Sequence, residues 1–380
     1  MEIRVPEWLE KFAAANPSPI YLVGGWVRNV IGGLSPSDID IAGRPLPDAL
    51  TLPRGYFFAT TYRRMGTALI KNRYRSDIEM EYTPFRTEEY APGGGHTPVS
   101  VKFDTDLESD AERRDFTVNS IYYDIKRRKL IDPFGGVADI NKRIMRAHDP
   151  ERVFSSDGLR LMRLVRIAAE TGFGIERVTS ETAMRNAALL ADVTATRKRD
   201  ELLKILKADT LYGVEDAHYR GLRLLREYGL LRYIIPELAE LGSLAPPNGH
   251  HKYDALEHTF RTVRAAPPEL RLAALMHDIG KAEAVRRTGR MKDHEIYGEE
   301  ITRRVLTELR FPAKVIDKTA RLVRWHMYDR NADTRSGKML VFVARNADII
   351  EDLTALVNAH LPCVSASFTI SSFVRVLRFR

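Results

Sequence analysis

Short apolar runs separated by glycine, proline and acidic turns fill the first third of the chain. Longer stretches with apolar residues at helical spacing fill the rest. Met1 to Asn16 reads as an amphipathic helix with Trp8, Leu9 and Phe12 on one side, ending at Pro17. Beyond it, Tyr21 to Val23, a run holding Asp38 and Asp40, Tyr56 to Thr60, Thr67 to Lys71, Ile78 to Phe85, Val99 to Phe103, Ser120 to Asp124 and Lys129 to Ile131 read as strands. Helical pieces at Val27 to Ile31 and about Leu107 to Asn119 make this a mixed α/β region. Past Pro133-Phe134-Gly135-Gly136 the pattern predicts helices, at Gly158 to Thr171, Ser180 to Ala191, Arg199 to Lys207, Tyr219 to Tyr228, Leu256 to Ala265 and Glu269 to Met276. A second break falls at Ala245 to Gly249, where proline and glycine cluster. Three segments follow, 1–137, 138–245 and 246–380, with no internal repeat of fixed period.

Composition narrows this picture. At 380 residues, 44% hydrophobic and 29% charged, the chain is long enough for several soluble domains. A net charge of +8 and a pI near 9.4 favour a polyanionic partner, although an ordinary basic enzyme also carries such a surplus. The single cysteine, Cys363, excludes an intramolecular disulfide framework and suits a reducing compartment. Glu2, Arg4, Pro6 and Glu7 precede any long apolar run, so no signal peptide is visible, and no stretch approaches the ~18 apolar residues of a membrane span. The expectation is a cytoplasmic protein with no membrane partner.

The densest candidate chemistry lies between Tyr21 and Ala42, which reads as strand, glycine turn, helix, turn, strand. Asp38 and Asp40 are two apart, so on a strand both carboxylates face one way. They can share divalent metal ions, and hard oxygen ligands suit Mg²⁺. Two such ions about 3.5 to 4 Å apart stabilise the attacking and leaving oxygens of phosphoryl or nucleotidyl transfer. Gly24 and Gly25 let backbone approach a triphosphate, and Arg28 is placed to neutralise it. A plain turn followed by a surface Asp-x-Asp is the competing reading; the two halves together favour the functional one. Further on, Arg113 and Arg114 beside acidic neighbours read either as phosphate clamps or as a solvated charge run. Asp157, Arg160 and Arg163 fall near one line of a helix, either as an acidic cap with an intrahelical ion pair or as an acceptor and donor aimed at a base edge.

In order along the chain, Gly24-Gly25-x-Val27-Arg28, Asp38-Ile39-Asp40, Glu79 to Glu88, Arg113 to Ser120 and Asp157 to Phe173 resemble the class II tRNA nucleotidyltransferases and their bacterial poly(A) polymerase relatives, over roughly the first 210 residues. The resemblance implies an α+β chain: a polymerase-β-like nucleotidyltransferase head with a mixed sheet, then an all-α neck and body. It implies template-independent addition of CCA to tRNA 3′ ends from CTP and ATP, with the tRNA acceptor end as partner and Mg²⁺ as cofactor. Asp38 and Asp40 would hold the metals, Gly24, Gly25 and Arg28 would contact the triphosphate, and Arg114, Asp115, Asn119 and Arg163 would grip the nucleotide. The tRNA 3′-hydroxyl would attack the α-phosphate with pyrophosphate leaving. Asp157 and Arg160 would read the incoming base. Cytosine and adenine both present an exocyclic amino donor beside an unprotonated ring nitrogen, whereas uracil and guanine present a carbonyl beside a ring N–H. An Asp acceptor with an Arg donor matches the first pair and leaves buried groups unpaired against the second, an arrangement that can discriminate by ~10⁴ or more.

Met65 to Ile70 resembles the Gly-Thr strand of the tRNA enzymes more than the basic segment of poly(A) polymerases. Arg86-Thr87-Glu88-Glu89-Tyr90 with its glycine loop resembles CCA-adding rather than CC-only enzymes. Asn29 stands where the family usually has Asp. Glu81 is a candidate third carboxylate, against its reading as a surface strand residue. Arg197, Lys198, Arg199, Lys204 and Lys207 read either as a basic face for the acceptor stem or as a solvated helix face. A poly(A) polymerase, a CC- or A-adding specialist, a non-catalytic RNA-binding protein and an HD phosphohydrolase with an RNA-binding head are the alternatives.

The C-terminal third carries a second pattern. His258, then His277-Asp278-Ile279-Gly280-Lys281, then His294 resemble the all-α HD phosphohydrolases. Adjacent His and Asp at a helix end can bind a divalent metal (Ni, Mn, Mg or another) with ligands from other helices. The expected set is His258, His277, Asp278 and, at the late position, His360, with Asp348 as an alternative. His326 reads as a surface or core histidine. Whether such a domain hydrolyses cyclic phosphodiesters or phosphomonoesters stays open.

Overall fold

The computed structural model describes residues 3–36, 38–90, 98–244, 253–327 and 337–360. The glycine loop after Tyr90, the segment from Ala245 to Gly249 and the C-terminal stretch from Cys363 lie outside the described residues. The chain divides into two compact units, Met1–Val193 and Thr194–Arg380.

In the first unit α1 (Glu7–Ala15) buries Leu9, Phe12 and Ala13. Trp8 stays partly exposed, because the face three and four residues apart runs through Leu9, Phe12 and Ala13 instead. The strands are β1 (Ile20–Val23), β2 (Ile39–Gly43), β3 (Tyr56–Tyr62), β4 (Thr67–Asn72), β5 (Glu79–Pro84), β6 (Arg86–Glu89), β7 (Ser100–Phe103), β8 (Tyr122–Asp124) and β9 (Lys129–Ile131). Seven form one sheet in the order β3-β4-β5-β2-β1-β8-β9, and β6 pairs with β7 separately. All neighbours in the large sheet are antiparallel except β2 and β5. That parallel pair sets Asp40 opposite Glu81, while Val23 pairs with Asp40 on the other side of β2.

Helix α2 (Gly25–Ile31) follows β1 through Gly24, whose φ is +77°, a conformation that L side chains rarely adopt. Val23, Ala42, Phe85, Ala111 and Tyr122 form a core cluster, and the Phe85 and Tyr122 rings meet edge to face at 6.1 Å. The expected helix from Leu107 to Asn119 is shorter. Helix α3 (Leu107–Glu112) ends and a 3-10 turn covers Thr117–Asn119, because between them the chain dives inward to bury Asp115 and Phe116. Helices α4 (Gly136–Asn141), α5 (Pro150–Ser156), α6 (Leu159–Thr171) and α7 (Arg177–Arg185) complete the unit, with a short parallel pair between Ile144–Met145 and Gly174–Ile175.

The second unit is helical among its described residues: α8 (Ala195–Leu206), α9 (Ala208–Tyr212), α10 (Ala217–Glu227), α11 (Pro236–Glu240), α12 (Ala255–Ala265), α13 (Arg271–Met276), α14 (Lys281–Thr288), α15 (His294–Glu308), α16 (Ala313–Trp325), α17 (Gly337–Arg345) and α18 (Ile350–His360). Phe260, Leu275 and Leu353 are fully buried and give α12, α13 and α18 a common apolar interior. The start of α14 lies so close to α15 that a Cβ on Gly280 would stand 2.1 Å from the His294 carbonyl oxygen and 2.5 Å from the Gly298 nitrogen. Both are backbone atoms and cannot rotate away. Gly280→Ala is therefore expected to destabilise this unit by ~1–3 kcal/mol or more; urea unfolding followed by circular dichroism reads the shift in midpoint.

Candidate active site and histidine cluster

The β2–β5 pairing builds the acidic part of the first site. Asp38 is exposed just before β2, Asp40 is partly buried within it, and Glu81 sits beside Asp40 on the neighbouring strand. A Cβ on Gly24 would stand 3.3 Å from Asp40 Oδ2, so the glycine turn runs directly against this carboxylate. Burial pushes Asp40 up to about 6; the Glu81 and Asp38 charges add to the rise, and Arg114 and Arg163 oppose it. Glu81 is also pushed up, by burial, with Arg86 opposing, although part of its side chain reaches solvent. Carboxylates whose repulsion is only partly offset by two arginines suit a divalent cation with a preference for oxygen, and Mg²⁺ fits this donor set.

Four of the remaining predicted residues, Arg28, Asn119, Asp115 and Arg163, form a polar chain. Arg28 is 4% exposed; its Nε donates to Asn29 Oδ1 at 3.0 Å and its NH1 to Asn119 Oδ1 at 2.6 Å. Asn119 Nδ2 donates to Asp115 Oδ1 at 3.0 Å, and Asp115 Oδ2 accepts from Arg163 Nε at 2.8 Å and NH2 at 2.6 Å. Burial alone would raise Asp115, but the Arg163 and Arg160 charges and these hydrogen bonds outweigh it and hold the carboxyl well below its usual range. The amide at position 29 also donates to the Ser35 carbonyl at 3.0 Å, which a carboxylate could not do.

Sequence reading missed the second buried chain. Asp110 is fully buried and accepts from Arg113 Nε at 2.8 Å, Arg114 NH2 at 3.1 Å and the Tyr122 hydroxyl at 2.5 Å. Glu88 accepts from Arg86 Nε at 2.6 Å and Arg113 NH1 at 3.4 Å. Arg113 and Arg114 are thus held from within and are not a solvated charge run.

Asp157 is not on a helix with Arg160. Its backbone is extended (φ −156°, ψ 106°) between α5 and α6, and its Oδ1 accepts from the Leu159 amide at 3.0 Å, a local capping bond that competes with helical geometry. Arg160 opens α6 and donates to Ser156 Oγ at 2.9 Å and the Arg113 carbonyl at 2.8 Å. Tyr90 lies within electrostatic reach of both. In the basic stretch, Lys198 donates to the Tyr233 carbonyl at 3.0 Å and Arg199 to the Arg310 carbonyl, whereas Lys204 and Lys207 are exposed.

In the second unit His258 lies on α12, His277 and Asp278 follow α13, His294 opens α15, His326 follows α16 and His360 ends α18. Asp278 Oδ2 is 3.4 Å from His258 Nε2 and 3.2 Å from His277 Nε2; Oδ1 is 3.1 Å from His294 Nε2 and 3.8 Å from His326 Nε2. The His360 ring centre is 4.8 Å from that of His258 and 4.9 Å from that of His277. Lys281 Nζ also bonds Asp278 Oδ2. His277 Nε2 and Asp278 Oδ1 are buried without a partner in hydrogen-bonding geometry, as expected of groups shaped to hold a metal. Burial, reinforced by neighbouring imidazoles, holds His326 and His360 well below the usual histidine range, so both are neutral and able to ligate. His326 is buried as a core histidine would be, yet it belongs to the cluster. Asp348 does not: it is exposed and paired with Arg321 at 2.6 Å.

Comparison with known proteins matches the chain to three family models in sequence order. They are the poly(A) polymerase head domain over residues 20–146, the probable RNA- and SrmB-binding site of polymerase A over 172–241, and the HD domain over 250–355. The chain is 33% identical over 365 residues to the CC-adding tRNA nucleotidyltransferase of Thermus thermophilus, covering 92% of this chain and 77% of that protein. It is 34% identical over 363 residues to the A-adding tRNA nucleotidyltransferase of Deinococcus radiodurans, covering 90% and 76%. The crystal structure of the Bacillus stearothermophilus CCA-adding enzyme in complex with CTP superposes with a TM-score of 0.67 at 25% identity, over 99% of this chain and 82% of that one. No helix among the described residues is long and apolar enough to cross a membrane. With relatives matched over most of both chains, and the head, RNA-binding and HD segments in order, the chain belongs to the tRNA nucleotidyltransferase family and carries an HD domain.

Proposed function

We propose that this enzyme adds CCA to tRNA 3′ ends from CTP and ATP without a template, in the cytoplasm. The observation that carries the reading is the placement of Asp40 and Glu81 side by side on one strand pair, with Asp38 just before β2 and the Gly24 turn against Asp40. Asp38 and Asp40, with Glu81 beside them, would hold Mg²⁺; when bound it neutralises the triphosphate and lowers the pKa of the attacking hydroxyl. Gly24 keeps the approach to Asp40 clear of a side chain. Arg114, anchored by Asp110, and Arg163, anchored by Asp115, offer fixed positive charge close to Asp40 for the nucleotide. Arg28 acts from behind, holding Asn119 and through it Asp115. Asp157 and Arg160 read the base edge. Division into functional parts at 1–137, 138–245 and 246–380 belongs to the same reading.

A divided pathway is the second reading, because the Thermus and Deinococcus relatives are named for CC and A addition separately. Transcripts ending before CCA, after C and after CC, each with CTP, ATP or both, distinguish the two. Three added residues requiring both nucleotides support CCA addition. Arrest at CC, or addition of A alone to a CC end, supports a specialist, and a long ATP-only ladder supports a poly(A) polymerase.

We also assign a metal-dependent phosphohydrolase activity, on cyclic phosphodiester or phosphomonoester ends, to the histidine cluster. Asp40→Ala is expected to abolish nucleotide addition and spare phosphohydrolysis; loss of both overturns the two-site reading.

For the base edge, Asp157→Ala and Arg160→Ala should each lower kcat/KM for CTP and ATP by ~10–100-fold, with UTP and GTP affected less. Single-nucleotide extension with each triphosphate reads the narrowed ratio. An equal loss for all four nucleotides would leave the pair a structural role only.

Asp40 also yields a pH prediction. Its pKa is raised by folding, so its ionised form opposes the fold; that penalty is absent below about pH 4, develops as pH rises, and is complete above about 6. In chelator, Asp40→Asn should melt a few degrees above the wild type at pH 8, with the gain vanishing near pH 4, while nucleotide addition is lost. Thermal melts across pH check the trend.

A further inference from the structure

Tyr122 lies on β8 in line with the acidic centre. It pairs with Val23 of β1, and Val23 in turn pairs with Asp40 of β2. Residues directly opposite one another across a sheet share a face, so Tyr122 and Asp40 project to the same side, two strands and about 10 Å apart. The Tyr122 ring is fully buried and meets Tyr21 and Phe85 edge to face, at 6.2 and 6.1 Å. Phenylalanine would make the same ring contacts, so packing alone leaves the hydroxyl unexplained.

That hydroxyl stands between two charged groups. It donates to Asp110 Oδ2 at 2.5 Å and accepts from Arg114 Nε at 2.8 Å. A phenol has one proton and a guanidinium only donates, so the bonds divide in no other way. Arg114 also reaches Asp110 directly, but both of its bonds, from NH2 at 3.1 Å and Nε at 3.3 Å, fall on the single oxygen Oδ2. The other oxygen, Oδ1, accepts from Arg113 Nε at 2.8 Å and the Arg86 amide at 3.3 Å. A guanidinium held by one oxygen can pivot about it; the Tyr122 hydroxyl supplies the second point that stops the pivot. With its Nε and NH2 edge so held, Arg114 keeps NH1 without a hydrogen bond among the described residues. Its side chain is 16% exposed, and its charge reaches Asp40.

We propose that Tyr122 is a positioning residue for nucleotidyl transfer, its hydroxyl fixing the plane of Arg114 so that NH1 meets the phosphate oxygens of the nucleotide at Asp38 and Asp40. The inference rests on reading Arg114 as a nucleotide contact and names the part of the nucleotide it serves. That part is the polyphosphate shared by CTP and ATP. The contact is therefore blind to the base, which Asp157 and Arg160 read separately.

The test measures binding of inorganic pyrophosphate, CTP and ATP to the full-length chain in Mg²⁺ by calorimetry, with KM and kcat for nucleotide addition to tRNA transcripts. Tyr122→Phe keeps the ring and is expected to weaken all three ligands by about tenfold, the equivalent of one hydrogen bond to a charged group. CTP and ATP should be affected alike, in KM with kcat little changed. Arg114→Ala should weaken pyrophosphate at least as much, and the double variant no further, because the hydroxyl acts through Arg114. Phe85→Leu loosens the same cluster with the hydroxyl in place; it should lower the melting temperature and leave pyrophosphate binding unchanged. Lost pyrophosphate affinity in Arg114→Ala but not in Tyr122→Phe, or an equal loss in Phe85→Leu, overturns the role of Tyr122. Unchanged pyrophosphate binding in Arg114→Ala overturns the reading of Arg114 as a phosphate contact, and the inference with it.

Discussion

A single buried carboxylate ties the head together. Asp115 accepts two hydrogen bonds from Arg163 and one from Asn119, which in turn accepts from Arg28. The chain joins α2, the 3-10 turn after α3, and α6, which share no sheet pairing. Removing one member would leave a desolvated charge without its partner, and such losses are larger than the net contribution of the intact pair. The consequence is geometric. Arg163 acts on Asp40 from a fixed position, and the glycine turn is held on the side of α2 that carries Arg28.

The second buried chain does the same for Arg113 and Arg114 through Asp110 and Glu88. Two arginines, Arg114 and Arg163, therefore stand near Asp40 without being free to collapse onto it. A flexible arginine near Asp38 and Asp40 would neutralise the carboxylates and compete with a metal. Here much of each guanidinium's hydrogen-bonding capacity is committed to interior acceptors, so positive charge is near Asp40 while the carboxylates remain open to a cation.

Local signals in the chain carried the helices, most strands and the Asp38/Asp40 spacing, because each depends on periodicity within a few residues. Glu81 was visible only as a candidate, since its place beside Asp40 comes from a parallel pairing across an intervening hairpin. Nothing local marks Asp110 and Glu88 as buried acceptors; only tertiary structure supplies their arginines. Asp157 was placed on one helical line with Arg160 because Asp-Gly-Leu-Arg looks like the first turn of a helix; its side chain instead caps that helix from outside, as the competing acidic-cap reading had it. His326 was set aside because no motif surrounds it, and its meaning comes from four other helices that converge on the same point. Residues whose role depends on one element were legible, and those that depend on pairing between distant elements were not.

The one parallel pair in the large sheet also bears on how the head folds. Strands β3, β4 and β5 are joined in sequence and can zip as local antiparallel neighbours, whereas β2 reaches β5 only by closing a loop over that whole excursion. Contacts of high sequence separation form late, because chain entropy must be lost before they contribute. Asp40 and Glu81 repel each other, yet they meet only in this late pairing. The like-charge encounter is thus absent from the locally paired β3-β4-β5 segment and arises only when β2 joins it.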